Sequence, residues 1–114
     1  ETLNFINDTS NNKIIEIQRY IDKHYAENIL INELSKKFYI SSCYLSHKFK
    51  EITGLSPKQY LSLTRLKNAS LLLINTNLSI SEISTKVGFN DVNNFIKKFK
   101  EAYGMLPNHY RHGK

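Results

Sequence analysis

Apolar residues recur every three or four positions along most of the chain, in runs separated by short polar breaks. From Lys13 onward, Ile14, Ile17, Ile21 and Tyr25 fall on one stripe, which predicts an amphipathic helix ended by Asn28. A second helix is predicted over 31–38, with Leu34 and Phe38 on its inner face. Tyr39-Ile40-Ser41 interrupts it, and Ser41 or Ser42 suits the N-cap of a third helix running to Thr53. Leu45, Phe49 and Ile52 are its inward positions, and Gly54 can close it as a left-handed cap. Ser56-Pro57 opens a long fourth helix with Leu66, Ala69, Leu72 and Leu73 on one face, ending near 75–77. At 1.5 Å per residue its length is roughly 27 Å. Ser79 and Glu82 stand in capping-box spacing before a fifth helix, which runs to about Val87. Gly88-Phe89-Asn90 turns the chain into a sixth helix over 92–103, stopped by Gly104, and Pro107 starts a last short turn. No segment has the alternation of a strand, so the expected class is all-α, with six to seven helices. The polar residues 1–12 are expected to be a flexible lead or the end of a linker.

The pattern repeats. FKEITGLSPKQY at 49–60 returns as FKEAYGMLPNHY at 99–110, with six of twelve positions identical and Gly and Pro in register. Upstream, Ile31, Glu33, Ser35 and Lys37 match Ile80, Glu82, Ser84 and Lys86 at an offset of 49. The offset becomes 50 by Leu45 and Phe95, so one residue was gained in or near the turn. Each copy is therefore a helix, a tight turn and a second helix closed by Gly and followed by Pro. The expected division is residues 13–55 for a first helix-turn-helix unit, 56–75 for a joining helix and 76–114 for a second unit.

In such a unit a small residue early in the first helix lets the second cross closely, and Ser35 and Ser84 fit. The turn favours a residue that tolerates positive φ, which Gly88 does and Tyr39 does not. Apolar anchors, Leu45 and Phe49 or Phe95 and Phe99, fix the second helix and leave its opposite face free for the major groove. That face carries Cys43, Ser46, His47 and Lys50 in the first unit and Asn93, Ile96, Lys97 and Lys100 in the second. Asn pairs with adenine, Lys reaches guanine, and Ile packs on a thymine methyl. The base-contact candidates are Cys43, Ser46, His47, Asn93, Ile96 and Lys97. The phosphate candidates are Lys36, Lys48, Lys50, Lys98 and Lys100, aided by backbone N–H groups at helix starts.

Charge supports this assignment. The net charge is +6 over 114 residues, but residues 34–114 carry thirteen basic and four acidic groups against three and six in residues 1–33. An acidic partner follows, nucleic acid first. The single cysteine, Cys43, rules out an internal disulfide framework. No apolar run approaches membrane-spanning length and no signal-peptide pattern opens the chain. Glu1 in place of Met is the mark expected of an excised or processed piece.

Two other classes compete. Cys43 and His47 lie one helical turn apart, as in a thiolate–imidazole pair or half a metal site. No second cysteine, ligand cluster or group orienting the His completes either arrangement, and the four glycines are isolated rather than gathered in a phosphate loop. The expectation is therefore no enzyme, no catalytic residue, no cofactor and no metal. A protein-interaction helix would present apolar anchors on its outward stripe, where only Ile96 offers one.

The residues that carry a family resemblance run from about Ile14 to Arg111. They are Tyr44-Leu45-Ser46, Phe49-Lys50, Thr53-Gly54-Leu55-Ser56-Pro57, Arg65-Leu66 with Ala69 and Leu72-Leu73, Ile80, Ile83, Val87-Gly88-Phe89, Phe95, Phe99-Lys100, Tyr103-Gly104-Met105, Pro107 and Tyr110-Arg111. With these the chain resembles the DNA-binding domain of the AraC/XylS family of bacterial transcription regulators. The resemblance implies that the long helix joins the two units and that both recognition helices enter adjacent major-groove segments on one DNA face, about 34 Å apart. It also implies sequence-specific binding to double-stranded DNA, a cytoplasmic bacterial protein, a C-terminal domain monomeric on its own, a separate sensing or dimerising region, and RNA polymerase as partner if the protein activates. The chain departs from the family pattern at Tyr39 in the first turn, at Leu30 where Ser79 caps the second copy, and at Ser35 and Ser84 where Ala is usual.

Overall fold

The computed structural model describes the backbone of residues 2–113 and the side chains of residues 12–113. Seven helices form, and no strand occurs among the described residues: α1 (Thr2–His24), α2 (Ile31–Lys37), α3 (Ser42–Thr53), α4 (Pro57–Asn75), α5 (Ile80–Lys86), α6 (Val92–Tyr103) and α7 (Pro107–His112). The chain divides into two compact units. One comprises residues 1–24 and 29–61, the other residues 25–28 and 62–114. The division falls inside α4, so Pro57–Leu61 belong to the first unit and Ser62–Asn75 to the second.

α1 begins at Thr2 and so includes most of the stretch 1–12 that the sequence suggests as a flexible lead or the end of a linker. Polar residues such as Asn, Asp, Ser and Thr lower helix propensity by only tenths of a kcal/mol each, so an existing helix extends through them without an apolar stripe to announce it.

In the first unit Ile14, Ile17 and Ile21 of α1 are fully buried with Leu34, Leu45 and Phe49, and Leu61 closes the core at 9% exposed. Lys13 donates from Nζ to the Phe38 carbonyl at 3.0 Å, placing a cation at the end of α2. Phe49 meets Tyr60 edge to face, with ring centroids 5.5 Å apart. Ile52, expected inward, is 38% exposed. The inner register of α3 runs 45–49–53 at intervals of four, and Thr53 spends its hydroxyl on the Phe49 and Leu55 carbonyls.

The second unit buries Leu66, Ala69, Leu73, Ile83, Val87, Phe89, Phe95 and Phe99, with Tyr25, Leu78, Tyr103 and Tyr110 packed around them. Phe99 and Tyr110 reproduce the Phe49–Tyr60 pair, 5.4 Å apart and edge to face. Gly54 and Gly104 close α3 and α6 at φ 84° and 76°, the left-handed cap predicted for Gly54 recurring at Gly104.

Candidate nucleic-acid interface

Each unit holds a helix-turn-helix whose parts can be traced to single residues. In the first unit Ser35, 5% exposed, sits under the crossing of α2 and α3. Its hydroxyl donates to the Asn32 carbonyl at 2.8 Å and lies 3.1 Å from the Ser42 hydroxyl. Ser42 also donates to Asn32 Oδ1 at 2.9 Å. The bond from Ser42 to Asn32 thus ties the start of α3 to α2, with the Ser35 hydroxyl close beside it. Ser84 occupies the matching place in the second unit and is 1% exposed.

The turns match in detail. The Ile40 N–H donates to the Ser35 carbonyl at 2.9 Å, and the Phe89 N–H donates to the Ser84 carbonyl at 3.0 Å, still at an offset of 49. The N-caps are Ser41, which accepts from the Tyr44 N–H, and Asp91, which accepts from the Asn93 N–H, at an offset of 50. The residue gained in the second copy is therefore Asn90. Gly88 has φ 107°, and Tyr39, at the same point of the first turn, has φ 59°. Tyr39 adopts the left-handed conformation that its side chain disfavours. α2 starts at Leu30 without a side-chain cap, whereas Ser79 and Glu82 form the full capping box of α5. Hydrogen bonds from the Ser79 backbone and side chain hold the Glu82 carboxyl below its ordinary pKa.

With Leu45 and Phe49 buried, α3 presents Cys43, Ser46, His47 and Lys50, all exposed. With Phe95 and Phe99 buried, α6 presents Asn93, Lys97, Lys98 and Lys100, all exposed. Ile96 stands apart from its stripe. It is half-buried and packs on the core of its own unit, so little of it remains for a thymine methyl. Lys36 is exposed in the last turn of α2. Lys48 is half-buried and pairs with Glu51 at 3.2 Å, an engagement that the spacing on α3 allows but does not announce.

Arg65 is a positioning residue of the second unit. Its Nε donates to the Tyr25 carbonyl at 2.6 Å and its Nη2 to the Glu27 carbonyl at 2.8 Å. The guanidinium lies 5.8 Å from the Phe89 ring centroid, and burial lowers its pKa from the ordinary value. Arg111 does the same for the end of α4, donating to the Leu73 carbonyl at 2.9 Å and the Thr76 carbonyl at 3.2 Å. Of the residues with a part in building the interface, sequence reasoning missed Asp91 as a cap, Asn32 and Ser42 as partners of Ser35, and the acceptors of both arginines. Asp91 stands directly before the first residue of a predicted helix, a signal that could have found it. The others depend on contacts between distant segments and leave no local mark.

Two crossed helices with a left-handed turn and an exposed, polar second helix define a helix-turn-helix domain, here present twice. A family model described as a helix-turn-helix domain matches residues 34–113. The chain is 38% identical over 96 residues to the Msm operon regulatory protein of Streptococcus mutans, covering 84% of this chain and 34% of that protein. It is 35% identical to the lactose operon transcription activator of Staphylococcus xylosus, covering 92% of this chain and 38% of that one. Among solved structures, the C-terminal domain of the two-component response regulator yesN from Fusobacterium nucleatum superposes with a TM-score of 0.82 at 42% identity, covering 88% of this chain and 98% of that one. The DNA-binding domain of AdpA, solved in complex with a target DNA, superposes with a TM-score of 0.84 at 25% identity, covering 88% and 90%. The chain belongs to the AraC/XylS family of helix-turn-helix transcription regulators. It spans about a third of the length of the curated relatives it matches. The family is one of regulators and not of enzymes. No helix among the described residues is long and apolar enough to cross a membrane.

Proposed function

We infer that this domain binds double-stranded DNA sequence-specifically and regulates transcription. The carrying observation is the doubled unit: α3 and α6 are each fixed by two buried apolar anchors and closed by a left-handed glycine, and each presents an exposed polar face within the basic part of the chain. Each helix reads one major-groove segment. Cys43, Ser46 and His47 face the bases from α3, and Asn93 and Lys97 from α6, with Ile96 contributing its exposed edge. Lys36, Lys50, Lys98 and Lys100 neutralise phosphates, and Lys48 joins them by giving up Glu51. Because α6 offers Asn93 and Lys97, which suit adenine and guanine, where α3 offers Cys43, Ser46 and His47, the second unit carries more of the sequence discrimination and the first more of the backbone affinity.

The complete protein is proposed to be a cytoplasmic bacterial regulator whose remaining region senses a signal or dimerises. This domain alone is proposed to bind as a monomer. If the protein activates, RNA polymerase is its partner. Selection of bound duplexes from a random pool at two salt concentrations tests the reading. Enrichment of two short motifs about one helical turn apart is the expected result. Salt-sensitive retention without any motif would reduce the domain to a non-specific basic binder, and no retention would overturn DNA binding itself.

A further inference from the structure

Tyr39 is the only non-glycine residue with positive φ among the described residues, at 59°. It is 89% exposed, the most open of the large exposed apolar and aromatic residues. Backbone strain at such a residue persists when something compensates it, and strained residues gather at ligand clamps. The hydrogen bonds of the turn hold this backbone angle, but the Tyr39 side chain adds nothing to them within the domain. The ring takes no part in the aromatic pairs of the first unit, which join Tyr20 to His24 and Phe38, and Phe49 to Tyr60. The hydroxyl makes no hydrogen bond among the described residues. The other copy supplies an internal control: the same turn, with the same hydrogen bonds, is made there by Gly88 without strain. The turn therefore does not require a side chain, and the side chain present is not used to fold.

Its position supplies a use. Tyr39 lies between the exposed Lys36 at the end of α2 and Ser41, the cap from which α3 starts. In a docked helix-turn-helix the first helix crosses the sugar-phosphate backbone and the start of the second reaches the base edges, so the turn between them passes beside the phosphates at the groove edge. A tyrosine there can donate its hydroxyl to a phosphate oxygen, an acceptor whose charge strengthens the bond. We propose that Tyr39 is a DNA-backbone contact of the first unit, its hydroxyl donating to a phosphate beside the groove that α3 enters. The contact rests on the DNA-binding reading above. It gives the first unit a neutral backbone anchor beside its exposed lysines.

The test compares wild type, Tyr39→Phe and Tyr39→Gly by thermal melting and by duplex affinity across a salt series, with the selected site and a random duplex as probes. Tyr39→Phe keeps the backbone and removes only the hydroxyl. It is expected to melt with wild type and to lose about fivefold in affinity on both duplexes. The slope of log K against log salt should not change, because a neutral donor releases no counterion. Tyr39→Gly is expected to melt higher than wild type and yet bind more weakly. Full affinity in Tyr39→Phe, or a loss that also lowers the salt slope, would overturn the contact. If wild type itself retains neither duplex, the DNA-binding reading fails first, and the wild-type measurement identifies that case.

Discussion

Arg65 Nε and the Tyr25 carbonyl lie 2.6 Å apart, and a side chain at Gly88 would enter the same space. A Cβ there would stand 2.8 Å from that Nε, 3.0 Å from the Tyr25 oxygen and 3.0 Å from the Ala26 Cα. Gly88 is thus required twice, once by its φ of 107° and once by this close approach. Gly88→Ala is expected to cost about 2 kcal/mol or more in chemical denaturation. Arg65→Ala should cost about 2 kcal/mol by leaving two carbonyls without their charged donor. The double variant is expected to lose less than the sum, since both changes act on one contact; strict additivity would show that they act separately.

The unequal helix starts predict an exchange. Leu30 is 49% exposed and offers α2 no side-chain cap, while Glu33 already stands where a capping box needs it. Leu30→Ser is expected to raise stability by about 1 kcal/mol, and Ser79→Ala to lower it by a similar amount. Melting curves of the two single variants check both signs.

Acid should weaken the second unit at a specific point. The folded-state pKa of Glu82 is depressed below its ordinary value by its hydrogen bonds to Ser79. Its contribution is therefore complete above the unfolded value and is lost as pH falls through the depressed folded one. Glu82→Gln keeps a partner for the Ser79 N–H but does not titrate. The stability gap between wild type and Glu82→Gln should narrow as pH drops through the carboxylate range, and a gap constant with pH would contradict the assignment.

On DNA, the lysines should separate by what already holds them. Lys98→Ala is expected to weaken all duplexes alike and to reduce the salt slope by about 1. Lys48→Ala should lose less, because the pair with Glu51 at 3.2 Å must be given up on binding. Glu51→Ala, which frees Lys48 and removes a negative charge, should tighten binding. Equilibrium titrations on one duplex rank the three.

Asn93→Ala and Lys97→Ala are expected to cost about 1–3 kcal/mol on the selected site and to relax preference at one base position each. Repeating the duplex selection with each variant reads this directly. A uniform loss without relaxed preference would move these residues to the phosphate group.

Much of this protein was determined locally and could be read from the chain. The buried stripe of Ile14, Ile17 and Ile21, the capping box at Ser79 and Glu82, the glycine caps and the doubled FKE…G…P…Y phrase each depend on residues a turn or a repeat apart. Such spacings set which faces are buried and where helices stop, so the exposed faces of α3 and α6 followed from them. The tertiary structure decided what depends on residues distant in sequence or on competition for one surface. It drew Ile96 onto the core and turned Ile52 outward, because a helix face a hundred degrees wide leaves flanking positions to the neighbour that packs there. It gave Arg65 and Arg111 their carbonyls across 35 to 40 residues of chain. It extended α1 back to Thr2 through residues with no apolar pattern. It also imposed on Tyr39 a backbone angle that its own side chain opposes, since the crossing of α2 and α3 requires a left-handed turn whichever residue stands there.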